Sequence, residues 1–165
     1  MTHPVYNVLF VCTGNSVRSV MAECLMNHLG AGRFHAFSAG SMPNGAVNPK
    51  ALATLASLEV PTLGVRSKSW AEFSQANAPV LDFIFTVCDR AAGEVCPVWP
   101  GQPVSAHWGV ADPGDMPAQS TAEVEKNFRD AAYTLKRRIE LFMALPFDSL
   151  DRLSLQTHAQ RIGQQ

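Results

Sequence analysis

The sequence predicts an α/β fold, a parallel sheet covered on both faces by helices. Two observations predict it. Four apolar runs rich in β-branched and aromatic residues have strand length: Val5 to Val11, Phe34 to Ala39, Leu81 to Cys88 and Val104 to Trp108. Segments of helical period alternate with them, the order expected of parallel strands joined through helices. In such sheets a ligand sits beyond the carboxyl ends of the strands. Cys12, Cys88 and Trp108 all fall at or near those ends, so they are expected to be neighbours in space.

Taken in order, Val5 to Val11 reads as a strand buried on both faces. A Gly-containing loop follows it. Ser19 to Leu29 then shows helical spacing, with Val20, Met21, Cys24, Leu25, His28 and Leu29 on one face. Gly30-Ala31-Gly32 ends that helix. Phe34 to Ala39 is the second strand. Asn48-Pro49 has the form of an N-cap with proline at the first helical position, opening a helix to about Leu58. Ser69-Trp-Ala-Glu72 is a capping box for a short helix. After the third strand, residues 89–103 hold three prolines and two glycines and read as an irregular loop. The fourth strand follows. Ser120-Thr-Ala-Glu123 is a second capping box. It opens a long amphipathic helix striped by Val124, Phe128, Ala131, Leu135, Ile139 and Phe142, which Pro146 stops. A weak extra helix is expected within 149–162. The expected organisation is a catalytic domain over 1–146 and a helical tail over 147–165.

A chain of 165 residues suffices for one domain with a proper core. Hydrophobic residues make 47% and charged residues 16%, the balance of a water-soluble globular chain. A formal net charge of −1 gives no field favouring nucleic acid or an anionic membrane. Val8 to Val11 is too short to span a bilayer. No basic region precedes an apolar stretch at the N-terminus, so no secretory signal is expected and the cytoplasm is the expected compartment. Four cysteines there read as redox-active, metal-binding or buried rather than as structural disulfides.

The chemistry concentrates in Cys12-Thr-Gly-Asn-Ser-Val-Arg18-Ser19, directly after the first strand. Small residues let successive main-chain N–H groups point inward as an anion-binding nest. The loop enters a helix, whose N-terminus favours negative charge. Arg18 can grip two oxygens of an anion with its planar fork. All three effects are expected to lower the pKa of Cys12, making it a thiolate nucleophile. Thr13, Gly14, Asn15, Ser16, Val17, Arg18 and Ser19 are the candidate binding residues. Asn15 suits a left-handed turn and structural duty. The Ser19 hydroxyl is read as a donor to the Cys12 thiolate, as a helix N-cap, or as both.

Outside the loop the residues leave alternatives open. Asp112-Pro113 is either a general acid or an ordinary Asp-Pro turn. Cys88 and Cys96 flank residues 89–95 and are resolving thiols for an oxidised Cys12, zinc ligands together with His107, or buried cysteines. The zinc spacing is poor, and no bound metal or cofactor is expected. Cys24 reads as core, and His107 as a packing or hydrogen-bonding residue.

The string Val8-Leu-Phe-Val-Cys-Thr-Gly-Asn-Ser-Val-Arg-Ser-Val-Met-Ala-Glu23 resembles the signature of the low-molecular-weight tyrosine phosphatase family, with Phe37-Ser-Ala-Gly40 and Val47-Asn-Pro-Lys50 extending the match. Thr86-Val-Cys-Asp89, Cys96-Pro97, His107-Trp108 and Asp112-Pro113 resemble its arsenate reductase branch. The likeness covers about residues 5–145. It implies a three-layer fold with a four-stranded parallel sheet flanked by helices. It implies arsenate, or the similarly shaped phosphate, as the oxyanion, and Asp112 as general acid. It further implies attack by Cys12, resolution by a second thiol from Cys88 and Cys96, and an external thiol reductant, either thioredoxin or glutathione with glutaredoxin.

Four positions depart from that pattern. Val17 stands where many relatives carry a second loop cysteine, which excludes a disulfide inside the loop. Gly114 and Asp115 stand where the phosphatase branch commonly has aromatic residues. Lys68 stands where some thioredoxin-coupled reductases have an acid near a bound cation, so its ammonium is expected to replace that ion. A tyrosine or small-ester phosphatase is the alternative reading, and a non-catalytic redox sensor a third.

Overall fold

The computed structural model describes residues 4–88 and 102–165. In chain order the elements are β1 (Tyr6–Val11), α1 (Arg18–Leu29), β2 (Phe34–Ala39), α2 (Pro49–Ser57), β3 (Phe83–Thr86), β4 (Val104–His107), α3 (Thr121–Met143) and α4 (Arg152–Ile162). Single 3-10 turns lie at Trp70–Phe73 and Pro113–Asp115. The strands form one sheet in the order β2-β1-β3-β4, and every pairing is parallel. The expected four-stranded α/β sheet is therefore present.

Position in the sheet explains the sequence of each strand. β1 is central and covered on both faces, so Val8, Leu9, Phe10 and Val11 form an unbroken apolar run and all are buried. β4 lies at an edge, and its residues alternate: Val104 and Ala106 point in, Ser105 and His107 out. The third strand is shorter than expected. Val87 and Cys88 follow it and are still buried, because Val87 stays flanked on both sides: its N–H donates to Val11 O at 2.9 Å and its carbonyl accepts from Val110 N at 3.0 Å.

Helix α1 departs from the expected single face. Ala22 and Met26 are buried along with Val20, Met21, Cys24 and Leu25, while His28 and Leu29 are exposed. The helix packs against the sheet and also against α2 and α3, so more than one stripe must be apolar. Helix α3 buries its expected stripe from Phe128 to Phe142. Phe142 meets Phe83 edge-on with ring centres 4.9 Å apart, and Trp108 stacks on Phe85 at 3.8 Å. Burial of each such ring contributes roughly 1.5–3 kcal/mol, so this aromatic cluster is a main tie between α3 and the sheet.

The caps are mostly as read. Asn48 accepts from Lys50 N at 2.8 Å, with Pro49 opening α2. Ser120 accepts from Glu123 N, but Glu123 reaches back to Gln119 N, one residue before the cap. Ser69 caps only a four-residue 3-10 turn, because Glu72 is drawn to Arg66 instead of closing the box. The tail helix exists: Asp151 caps α4 by accepting from Ser154 N, and the helix packs on edge strand β4. Among the described residues, no helix is long and apolar enough to cross a membrane. The loop read at 89–103, with Cys96, lies outside the described residues apart from Gln102 and Pro103.

Candidate active site

The loop 12–18 emerges from the carboxyl end of β1, and its carbonyls are taken up from behind. Met42 N donates to Thr13 O at 2.9 Å, Asn44 N to Gly14 O at 2.9 Å, and Asn48 N to Ser16 O at 3.0 Å. Ser67 Oγ also donates to Gly14 O at 3.3 Å. With the carbonyls held by segment 42–48, the concave side of the loop is left to N–H groups. Among the described residues no main-chain carbonyl accepts from Ser16, Val17 or Arg18 N–H. Main-chain N–H groups left without a carbonyl partner are what an anion-binding nest requires.

Asn15 shapes the loop. Its φ is +47°, a left-handed conformation that asparagine tolerates. The side chain is fully buried and its amide makes three bonds. Nδ2 donates to Ser19 Oγ and Ser38 Oγ, both at 2.9 Å, and Oδ1 accepts from Lys68 N at 2.8 Å. The structural duty read for Asn15 is thus visible. The N-cap reading of Ser19 is corrected: Val17 precedes the helix, and Ser19 is its second residue. Its hydroxyl accepts from Asn15, so its own proton remains to be donated.

Gly40 lets the second strand pass directly behind the loop. A Cβ there would lie 2.4 Å from Thr13 O and 2.8 Å from Cys12 O, both main-chain atoms. Gly40→Ala is therefore expected to lose about 1–3 kcal/mol of stability and to weaken phosphate binding. Thermal unfolding and titration calorimetry check this, and unchanged values in both would contradict the close packing.

Arg18 projects across the mouth of the nest. Nη1 donates to Val110 O at 2.9 Å, and Nη2 lies 3.6 Å from Asp112 Oδ2. Its Nε is buried and has no hydrogen-bond partner among the described residues. A buried donor without an acceptor is uncommon, and an oxyanion in the nest would satisfy it. Asp112 makes the Asp-Pro turn and also faces Arg18. Oδ1 caps the 3-10 turn by accepting from Gly114 N at 2.9 Å, while Oδ2 faces Arg18.

Cys12 and Cys88 come together as the strand ends predicted. Cys88 Sγ accepts from Thr13 N at 3.4 Å, and the Cys12 and Cys88 side chains are hydrogen-bonded. That hydrogen bond, followed by burial, raises the Cys12 pKa, while Arg18 and the Gly14 N–H pull it down. The lowered value expected from the loop alone is corrected by this second thiol. Two thiols in contact retain one proton between them, so the pair presents a single thiolate at most.

Behind the loop, Lys68 is almost fully buried. Its Nζ donates to Arg66 O at 3.0 Å and lies 3.6 Å from Glu23 Oε1, which also accepts from Ser38 at 2.9 Å. Burial lowers the Lys68 pKa, and Glu23 opposes that shift. Cys24 is buried in the core, where burial pushes its thiol up to about 12. His107 Nδ1 is hydrogen-bonded to Thr86 Oγ1 at 2.7 Å.

Cys12, Arg18, Cys88 and Asp112 line one cleft of about 760 Å³. Sequence reasoning missed Met42, Asn44 and Met116 on its walls. Asn44 Nδ2 also donates to Ser16 Oγ at 3.1 Å. The Asn44-Gly45 dipeptide was the available signal, since it marks a turn, and Gly45 has φ +85°. Asp115 and Met116 occupy the wall after the Asp-Pro, and among the described residues no aromatic side chain lines the cleft.

A parallel sheet with a cysteine–arginine loop at its carboxyl edge defines a class, α/β proteins that present a thiol to an oxyanion nest. The comparisons name the family within it. The profile of the low molecular weight phosphotyrosine protein phosphatases matches residues 7–152, and this chain belongs to that family. It is 31% identical to an arsenate reductase of Halalkalibacterium halodurans over 136 residues, 82% of this chain and 93% of the relative. An arsenate reductase of Shouchella clausii is 32% identical over 116 residues, 70% of this chain and 78% of that one. A solved arsenate reductase in a phosphate-binding state has TM-score 0.68 and 28% identity, covering 84% of this chain and 97% of its own.

Proposed function

We propose that this chain reduces arsenate to arsenite, with Cys12 as nucleophile and Cys88 as the first resolving thiol. The observation that carries the reading is the Cys88 thiol beside the Cys12 thiol, both lining the one cleft. Hydrolysis has no use for a second thiol there, and reduction requires one. The named relatives support the same substrate.

The geometry suggests a sequence of steps. Arsenate seats its oxygens on the loop N–H groups and the Arg18 fork. Cys12 Sγ attacks arsenic(V), forming the S–As bond. One As–O bond breaks, and Asp112 gives its proton to the departing oxygen, which leaves as water. Cys88 Sγ then attacks Cys12 Sγ. The S–S bond forms, the electron pair of the S–As bond passes to arsenic, and arsenite(III) leaves. Cys96 attacks Cys88 in turn, freeing Cys12, and an external thiol reductant restores the Cys88–Cys96 pair. Thioredoxin and glutathione with glutaredoxin both supply the required chemistry.

If water rather than Cys88 reached the Cys12 adduct, the same cradle and Asp112 would make a phosphatase. The proposal is tested by giving the purified protein arsenate with each reductant in turn, and an aryl phosphate in parallel. Arsenite formation with one donor is expected. Rapid ester hydrolysis without arsenite formation would overturn the proposal.

Lys68 bears on the same chemistry. Its ammonium sits against Glu23 and a carbonyl, contacts that a monovalent cation would otherwise make. Arsenate turnover is therefore expected to be unchanged within about twofold between sodium and potassium buffers of equal ionic strength. Activation specific to potassium would contradict this role.

A further inference from the structure

The segment bearing Asp112 leaves the sheet through Trp108, Gly109 and Val110, and two guanidinium groups hold that strip. Arg18 takes the Val110 carbonyl. Arg138, on α3, donates Nη1 to Trp108 O and Gly109 O, both at 2.9 Å, and Nη2 to the main-chain oxygen of Gln165 at 3.2 Å. Arg138 is only 8% exposed, and among the described residues no Asp or Glu side chain pairs with it. Burying a cation is a poor way to stabilise a core, where an apolar side chain of similar size does as well. Its geometry instead ties together three main-chain points.

Helix α4 grips the same strip from the other side. Trp108 Nε1 donates to Ala159 O at 2.8 Å in a buried bond. Gly163 lies so close to His107 that a Cβ would sit 2.1 Å from its carbonyl oxygen. All of α4 except its first residue lies beyond the family match, which ends at residue 152.

We infer that Arg138 and α4 form a clamp on Trp108–Gly109 that positions Asp112 for proton transfer. Arg138 is a positioning residue in this account, since it contacts neither Asp112 nor the nest. The inference rests on the reading of Asp112 as general acid. Small displacements of a proton donor are costly: a shift near 1 Å can lower a rate about 100-fold.

The test is a double-mutant cycle, run on arsenate reduction and aryl phosphate hydrolysis with the wild type, Asp112→Asn, Arg138→Met and the double variant. Arg138→Met is expected to lower kcat about tenfold or more with KM within about twofold, because binding by the nest is untouched. Added to Asp112→Asn, which alone costs roughly 10²–10⁴-fold, it is expected to cost less than about twofold. Gly163→Ala, whose Cβ would meet His107 O and Trp108 Cδ1 and press α4 away from the strip, is expected to act in the same direction. It decides the matter if Arg138→Met does not fold. An equal loss in both backgrounds, no loss, or a loss confined to KM would overturn the clamp. Wild-type kcat in Asp112→Asn would instead remove the general acid, and the clamp with it.

Discussion

Cys12→Ser is expected to bring arsenite formation to the uncatalysed background, a loss of at least roughly 10⁶-fold. Serine keeps the size and the hydrogen-bonding capacity of the side chain, so the nest and its anion affinity survive. What disappears is the sulfur nucleophile that forms the bond to arsenic. Calorimetric titration with phosphate is expected to give an affinity within about an order of magnitude of the wild type, since Arg18 and the loop N–H groups supply that binding. Loss of phosphate binding together with turnover would mean that Cys12 shapes the loop instead of reacting in it.

Cys88→Ser is expected to separate the first step from the second. Cys12 still attacks arsenate, but no neighbouring thiol can displace it, so multi-turnover reduction falls by roughly 10²-fold or more even with excess reductant. Mass spectrometry of the quenched protein is expected to show no disulfide involving Cys12. The effect is large because Cys88 Sγ lies against the Cys12 thiol and Thr13 N, where an intramolecular thiol has a high effective concentration. Full turnover in both Cys88→Ser and Cys96→Ser would refute the internal relay and make a small external thiol the second nucleophile.

Much of this arrangement was legible in the chain. The run at Val5 to Val11 was readable as a strand covered on both faces because such strands are apolar throughout, and Phe34 to Ala39 as a second strand. Cys12 and Cys88 were foreseen as neighbours from strand polarity alone, since both follow parallel strands. The caps at Asn48, Ser69 and Ser120 are local chemistry and were readable as such.

What was not legible depends on contacts between distant segments. The Cys12 pKa was misjudged because Cys88, 76 positions away, adds a hydrogen bond and a shared proton to the effects of the loop. The buried side of α1 was drawn too narrow, because its packing on both the sheet and α3 is a property of the assembled layers. The brace at 42–48 acts through main-chain N–H groups, which carry no residue signature beyond Asn44-Gly45. Arg138 was invisible as a buried cation because its stripe position alternates with exposed charges on the same long helix.

If the loop is an oxyanion cradle whose product is decided by thiols outside it, one turnover of reduction needs no external reductant. Fully reduced protein is mixed with arsenate and no external reductant, quenched, and analysed for arsenite and for disulfides. The account predicts about one arsenite released per chain and one new disulfide drawn from Cys12, Cys88 and Cys96. Release of no arsenite, with all three thiols still reduced and an aryl phosphate hydrolysed under the same conditions, would contradict it.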